Sequence, residues 1–297
     1  MRVFFKAFWF VILVMVMTWT ILDQAAHASV TIASQPVEGK GVTIRTCDHD
    51  AGAICSVVWN GEEFIDDFDH GRQLQSSSSF DYLGEAFNPT EAGAWYYTDG
   101  LNPKPSSSYA YWQIDMHGWL FTYTRMAYWI PVNGAKQSNH YLGKTVSIGN
   151  DGVINYRVSF LVPYNEPHFY GQFEYLTGYM PRKFSSFWYV DPAGVAQPLS
   201  DGPGEQVHPV ILSTPSGSHA MGIYSMHKNS YEWRDGGFGR WRHADCVKWN
   251  AVWRTRNPQP GTYDFQAFVV VGTLSHVTAM INNLRKTYPQ SDKPLGK

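Results

Sequence analysis

Val153-Ile154-Asn155-Tyr156-Arg157-Val158-Ser159-Phe160-Leu161-Val162 is the stretch that decides the fold class. Large apolar side chains fall at 154, 156, 158, 160 and 162, and polar ones at 155, 157 and 159. A period of two puts the apolar set on one face of an extended strand and the polar set on the other. Similar alternating, β-branched or aromatic runs lie on both sides of it. They are Val42–Arg45, Ile54–Trp59, Trp119–Thr124, Val210–Ser213, Ala220–Ser225 and Tyr263–Val271. Gly and Pro punctuate these runs as turn residues do. Asn60-Gly61 between Trp59 and Glu62 marks a hairpin, because both residues tolerate the positive φ of a type I′ turn. One segment has helical spacing: Ser275 to Tyr288, with Val277, Met280, Ile281, Leu284 and Tyr288 on one face. Ser275 is its expected cap, and Arg285 and Lys286 suit its C-terminal dipole. Many short strands and one terminal helix predict an all-β chain, a large antiparallel β-sandwich with a C-terminal helix.

The 297 residues are 16% aromatic and 16% charged, with a formal net charge of −2. This charge-poor, aromatic-rich composition excludes disorder and a coiled coil. It also offers no basic footprint for nucleic acid. Arg2 and Lys6 precede an apolar block from Ala7 to Leu22, and Ala26-His27-Ala28 follows. A positive start, an apolar middle and an A-x-A site predict a secretory signal peptide over residues 1–28, with an uncleaved membrane anchor as the alternative. Residues 29–297 then form a single β-sandwich domain, secreted or periplasmic, with no membrane span after cleavage. In an oxidising compartment Cys47 and Cys55 can clamp a hairpin through the turn Asp50-Ala51-Gly52, leaving Cys246 free and buried.

Candidate site residues cluster in five places, one of them the Gly- and Pro-defined loop Gly202–Pro209 with Glu205, Gln206 and His208. From Asp66 to Gly100 the sequence shows little regular pattern and reads as a long functional connection. Its His70, Arg72, Gln73, Asn88 and Glu91 can hold sugar hydroxyls or carboxylates, and Glu85 and Glu91 can pair as acid and base. Turn chemistry around Asn88-Pro89 and Ala92-Gly93 is the alternative, but so many polar groups clustered without a charge run favour the functional reading. Asp66, Asp67 and Asp69 lack the spacing of a hand-type calcium loop. Asp115 and His117 share a strand face, and His140 lies in a polar loop. In Gly171–Pro181, Gln172 and Glu174 face one way, so they and the tyrosines after them can form one wall of a cleft. Trp233, Arg234 and Trp241 interleave aromatics with cations in a Gly-rich loop, where the indoles suit sugar faces. Tyr96 lies in another such loop.

GxSxG, HExxH, Walker A and GxGxxG are all absent, so no metal or cofactor is expected. An exported sandwich of this size, with aromatic strands and His/Arg/Glu-bearing loops, resembles the galactose-mutarotase-like supersandwich of carbohydrate-active enzymes. The resemblance is one of strand pattern and implies a glycan partner. The expected function is glycoside hydrolysis by Glu91 and Glu174, with Asp115 as substitute, and His70, Arg72, Gln73, Asn88, Trp233 and Trp241 holding substrate. On that reading Glu91→Gln leaves the fold intact and abolishes turnover. Two alternatives stay open. One is a uronate lyase with His117, Tyr96 or His70 as base and Arg72 or Arg234 neutralising the carboxylate. The other is a non-catalytic glycan-binding or cell-surface module.

Overall fold

The computed structural model describes residues 29–33, 38–97, 103–109, 114–116, 118–132, 135–228 and 237–291. The deciding segment is the strand Ile154–Val162, and its even-numbered residues are all buried in the main core. It pairs antiparallel with the strand Gly261–Gly272, which places Val158 opposite Phe265 and Phe160 opposite Tyr263. On that second strand both faces are covered. Tyr263, Phe265, Ala267, Val269 and Val271 enter the main core, while Phe268 and Val270 pack under the helix. A strand buried on both faces needs an almost continuous apolar run, and Ala267–Val271 supplies one.

These strands belong to one antiparallel sheet of sixteen strands. It runs from Ala196–Pro198 at one edge through Gly261–Gly272, Ile154–Val162, Ala135–Ile148 and Trp119–Val132. It continues through Pro89–Thr90, Gln75–Phe80, Tyr170–Pro181 and Cys246–Arg256 to Gly204–Gln206 at the far edge. The two halves fold over one another, because aromatic rings from strands far apart in that order touch. Tyr175 stacks on Phe265 with centroids 4.8 Å apart, and Phe173 meets Tyr263 at 4.8 Å and Phe160 at 5.2 Å. Such pairs add to the burial of their own area. The chain is therefore all-β, as its alternation predicts.

A four-stranded sheet, Thr31–Ala33, Val42–Thr46, Ile54–Trp59 and Glu62–Glu63, packs on the same core through Ile44, Val57, Trp59 and Phe64. Its Asn60-Gly61 turn has positive φ at both residues, 52° and 76°. Cys47 and Cys55 form a disulfide across the turn at Asp48–Gly52, and Cys246 is free and buried.

Three local expectations change. The helix runs Leu274–Thr287 and is capped by Thr273, whose hydroxyl accepts from the His276 N–H; Ser275 already lies in the first turn. The serine run is the strand Gln75–Phe80 in the middle of the sheet, not a connection. Serine has little strand preference of its own, but alternation serves it here. Ser76 and Ser78 point inward, where Ser76 donates to the Tyr175 carbonyl at 2.8 Å, and Ser77 and Ser79 point the other way. His140 lies on the strand Ala135–Ile148 and is buried.

Candidate functional site

The strand Tyr170–Pro181 sets the site. Phe173 and Tyr175 enter the core, so Gln172 and Glu174 face outward. Its pairing with Cys246–Arg256 shifts register between Glu174 and Leu176. This bulge adds one residue and changes which parity points outward, so Thr177 and Tyr179 join Gln172 and Glu174 on one face. Neighbouring strands extend that face in rows. Ser79 lies opposite Gln172 and Ser77 opposite Glu174. Across the other edge, Lys248 lies opposite Tyr179, and Trp241 opposite Lys248.

The result is an open cleft of about 230 Å³. Gln75, Ser77, Gln172, Glu174, Thr177 and Lys248 are among the residues lining it, with Asn88 and Trp129 on the walls and Glu85 beside them. Gln172 has a fixed orientation, because its side-chain oxygen accepts from Arg254 Nε at 2.7 Å. Among the described residues, Asn88 Oδ1 is buried with no hydrogen-bond partner. The Trp129 ring lies tilted against His70, centroids 4.2 Å apart, and passes directly over Gly71. A Cβ at Gly71 would lie 2.2 Å from the Trp129 ring, so only glycine lets the indole take this place.

Lys248 is the charged centre. Its Nζ is 2.8 Å from Glu174 Oε1, 4.9 Å from the Tyr179 ring centroid and 5.0 Å from that of Trp241. Burial pushes Glu174 up. The Lys248 charge and hydrogen bonds from Lys248, Asn250 and Thr177 outweigh burial and hold the carboxyl below the usual range. Burial likewise pulls Lys248 down, but Glu174 and Tyr179 more than reverse that and hold the ammonium above its ordinary value. The pair is thus ionised and mutually neutralised at pH 7. Other cations nearby are also matched. Arg254 pairs with Glu205, and Arg72 pairs with Asp66, Asp69 and Asp245.

The cleft gathers Glu174 and Asn88, with His70 and Trp241 one contact behind its lining. Burial lowers the His70 pKa, with Asp69 opposing, so its imidazole is neutral at pH 7. One face of Trp241 is taken up by Lys248 rather than left open for a sugar. Gln73 is fully buried and donates to Asp67 at 2.6 Å and to the Asp69 carbonyl, which orders the loop. Glu91 is not in the cleft. It is fully buried, ion-paired to Lys144, and accepts from the Ser76 N–H at 3.2 Å and the Tyr156 hydroxyl at 3.4 Å. Lys144, equally buried, also donates to the Gly52 carbonyl at 2.7 Å. Glu91 therefore has no path to a ligand, and Glu85, exposed and lining the cleft, is the carboxylate that joins Glu174 there.

Asp115 lies on the short strand Ile114–Met116, opposite Leu120, and Tyr96 on Trp95–Tyr97, opposite Lys104. His117, Trp233 and Arg234 lie outside the described residues. Sequence reasoning overlooked Lys248, Trp129, Gln75, Ser77 and Ser79. The period-two Val247/Trp249 pattern carried a signal for Lys248 between them, whereas the serine run shows no alternation of residue type.

No family model matches the chain, and no curated protein matches it. Solved structures resemble it in fold at low identity. The alpha-galactosidase AgaB from Geobacillus stearothermophilus is 10% identical with a TM-score of 0.46, over 84% of this chain and 41% of that one. The heparan sulfate lyase HepC from Pedobacter heparinus is 10% identical with a TM-score of 0.43, over 84% and 36%. A Synechocystis protein is 8% identical with a TM-score of 0.47, over 84% and 98%. The chain thus spans about two fifths of the two enzymes' length.

Proposed function

We propose that this chain is an exported protein that binds an uncharged glycan in the cleft over Gln172 and Glu174. The observation that carries the reading is the character of the lining. Hydroxyl and amide side chains surround one indole, and the single ammonium is already neutralised by Glu174. Sugar hydroxyls need directional donors and acceptors, and sugar C–H faces need an aromatic platform. A uronate needs a cation with charge to spare. Lys248, Arg254 and Arg72 are each held by carboxylates, which favours a neutral glycan over a uronate and weighs against the lyase reading.

Export rests on the N-terminal sequence, and the Cys47–Cys55 disulfide supports an oxidising compartment. Glycoside hydrolysis is the second reading, favoured by Glu85 lining the same cleft as an ionised Glu174. In that reaction Glu174 acts as the anionic partner and Glu85 delivers the proton. A panel of neutral and uronate-containing polysaccharides tests both readings by retention in affinity gels, reducing-end release and ultraviolet absorbance. Retention of neutral glycans without new reducing ends supports binding alone, and new reducing ends that vanish in Glu174→Gln support hydrolysis. Retention of uronate polymers only, with ultraviolet-absorbing products, defeats the proposal.

A further inference from the structure

Behind the segment that carries Glu85 and Asn88, three side chains from two parts of the chain converge. His140 comes from the strand Ala135–Ile148, and Glu166 and His168 from the link between Ile154–Val162 and Tyr170–Pro181. One ligand-capable atom from each lies within 4.8 Å of the other two, and His140 Nε2 is 3.8 Å from Glu166 Oε2. Among the described residues, His140 Nε2, His168 Nε2 and Glu166 Oε2 are all buried and lack hydrogen-bond partners. The side chains of His140 and His168 are only 3% and 2% exposed. Three unsatisfied buried polar atoms aimed at one point are costly unless something joins them.

The surroundings fix the rings for that purpose. His168 Nδ1 lies 2.8 Å from Asp81 Oδ2, which directs Nε2 at the cluster. Asp81 is itself anchored, since its Oδ1 accepts from the Phe169 and Tyr170 N–H groups at 2.8 and 3.2 Å. Its φ of 56° is left-handed, an unusual conformation for a residue other than glycine. Phe80 stacks on His168 at 4.2 Å and lies against His140 at 4.7 Å. A ligating histidine whose other nitrogen is held by a carboxylate is the recurrent outer support of protein metal sites.

We propose that His140, Glu166 and His168 form a binding site for a divalent first-row transition metal, zinc foremost. Two imidazoles and one carboxylate are a donor set zinc takes readily, leaving a fourth position for water. Bond lengths of about 2.1 Å put tetrahedral ligands roughly 3.4 Å apart, so small side-chain rotations close the observed gaps. The metal ties the 163–169 link to the strand Ala135–Ile148. This inference stands apart from the ligand reading of the cleft, and its test does not depend on any glycan.

The full chain is stripped with a chelator, loaded with zinc alone, desalted, and measured for metal content and melting temperature. One zinc per chain is expected, with a melting temperature that falls on chelation and recovers on zinc addition. Cobalt(II) in its place gives the visible bands of a low-coordinate site. His140→Gln and His168→Gln lose the metal, and Asp81→Asn weakens zinc binding about 10–100-fold while the far-ultraviolet circular dichroism is unchanged. The proposal is overturned if the wild-type chain retains no stoichiometric zinc. It is equally overturned if a folded His140→Gln/His168→Gln variant retains as much as wild type. Should those variants fail to fold, the wild-type metal content and its chelation-dependent melting decide the matter.

Discussion

Glu91→Gln separates a structural carboxylate from a catalytic one. The substitution keeps the shape of the side chain and removes its charge. Lys144, wholly buried beside it, then keeps only the Gly52 carbonyl and a neutral amide as partners. Breaking a buried ion pair from one side costs about 3–5 kcal/mol, because the remaining charge stays desolvated. A domain of this size loses roughly 2–4 °C of melting temperature per kcal/mol, so the expected fall is about 6–20 °C. Lys144→Met should cost a similar amount. The double variant Glu91→Gln/Lys144→Met should recover much of the loss, since neither charge is then stranded. Urea unfolding of the four proteins gives the coupling energy directly. A Glu91→Gln variant within about 1 kcal/mol of wild type that has lost ligand binding or turnover refutes the structural assignment. It would restore Glu91 as a functional carboxylate.

Three further outcomes follow from the packing and charge. His49 lies between Asp50 and Asp67, whose hydrogen bonds and charges raise its pKa from 6.5 to about 10 against a smaller opposing effect of burial. A raised folded pKa stabilises fully below 6.5 and loses that contribution as pH climbs through about 10, so urea midpoints should fall across this window. His49→Asn should flatten the slope; the effect is modest because the side chain is 36% exposed, and an unchanged slope contradicts it. Cys246 is buried, and burial, opposed by Arg72, pushes its thiol up to about 11. Ellman's reagent at pH 8 should leave it untouched in the folded protein and titrate it in urea, and rapid native labelling would refute that. Gly222 is the close approach of helix to sheet, where a Cβ would meet Val277 at 2.6 Å and Ile281 at 2.9 Å. Gly222→Ala should therefore destabilise by about 1–3 kcal/mol, and a neutral effect would show that the helix yields easily.

What the sequence discloses here follows from which face of each strand is apolar. Ile154–Val162 alternates cleanly because one face is core and the other is not, so it can be read directly. Gln75–Phe80 also alternates, but between two serine environments, and hydrophobicity is blind to the difference between Ser76 and Ser77. Gln172 and Glu174 are legible as one face, yet Thr177 and Tyr179 join them only through a bulge at Tyr175, which no residue type announces. Glu91 illustrates the opposite failure. Its partner Lys144 is 53 residues away, and a lysine at an inward position among Leu142 and Val146 breaks the pattern it should have followed. The His140, Glu166 and His168 cluster escapes notice because its donors meet through tertiary packing rather than a short motif.

The central claim is that the face made by Gln172, Glu174, Thr177 and Trp129 is the ligand site. Isothermal titration with the neutral oligosaccharide retained in the polysaccharide panel tests it most directly, in wild type and in folded Trp129→Ala and Gln172→Ala variants. A loss of about tenfold or more in each variant, roughly 1.4 kcal/mol or above, is predicted. Wild-type affinity in both variants, with their melting temperatures preserved, would place the glycan elsewhere on the molecule and contradict the assignment.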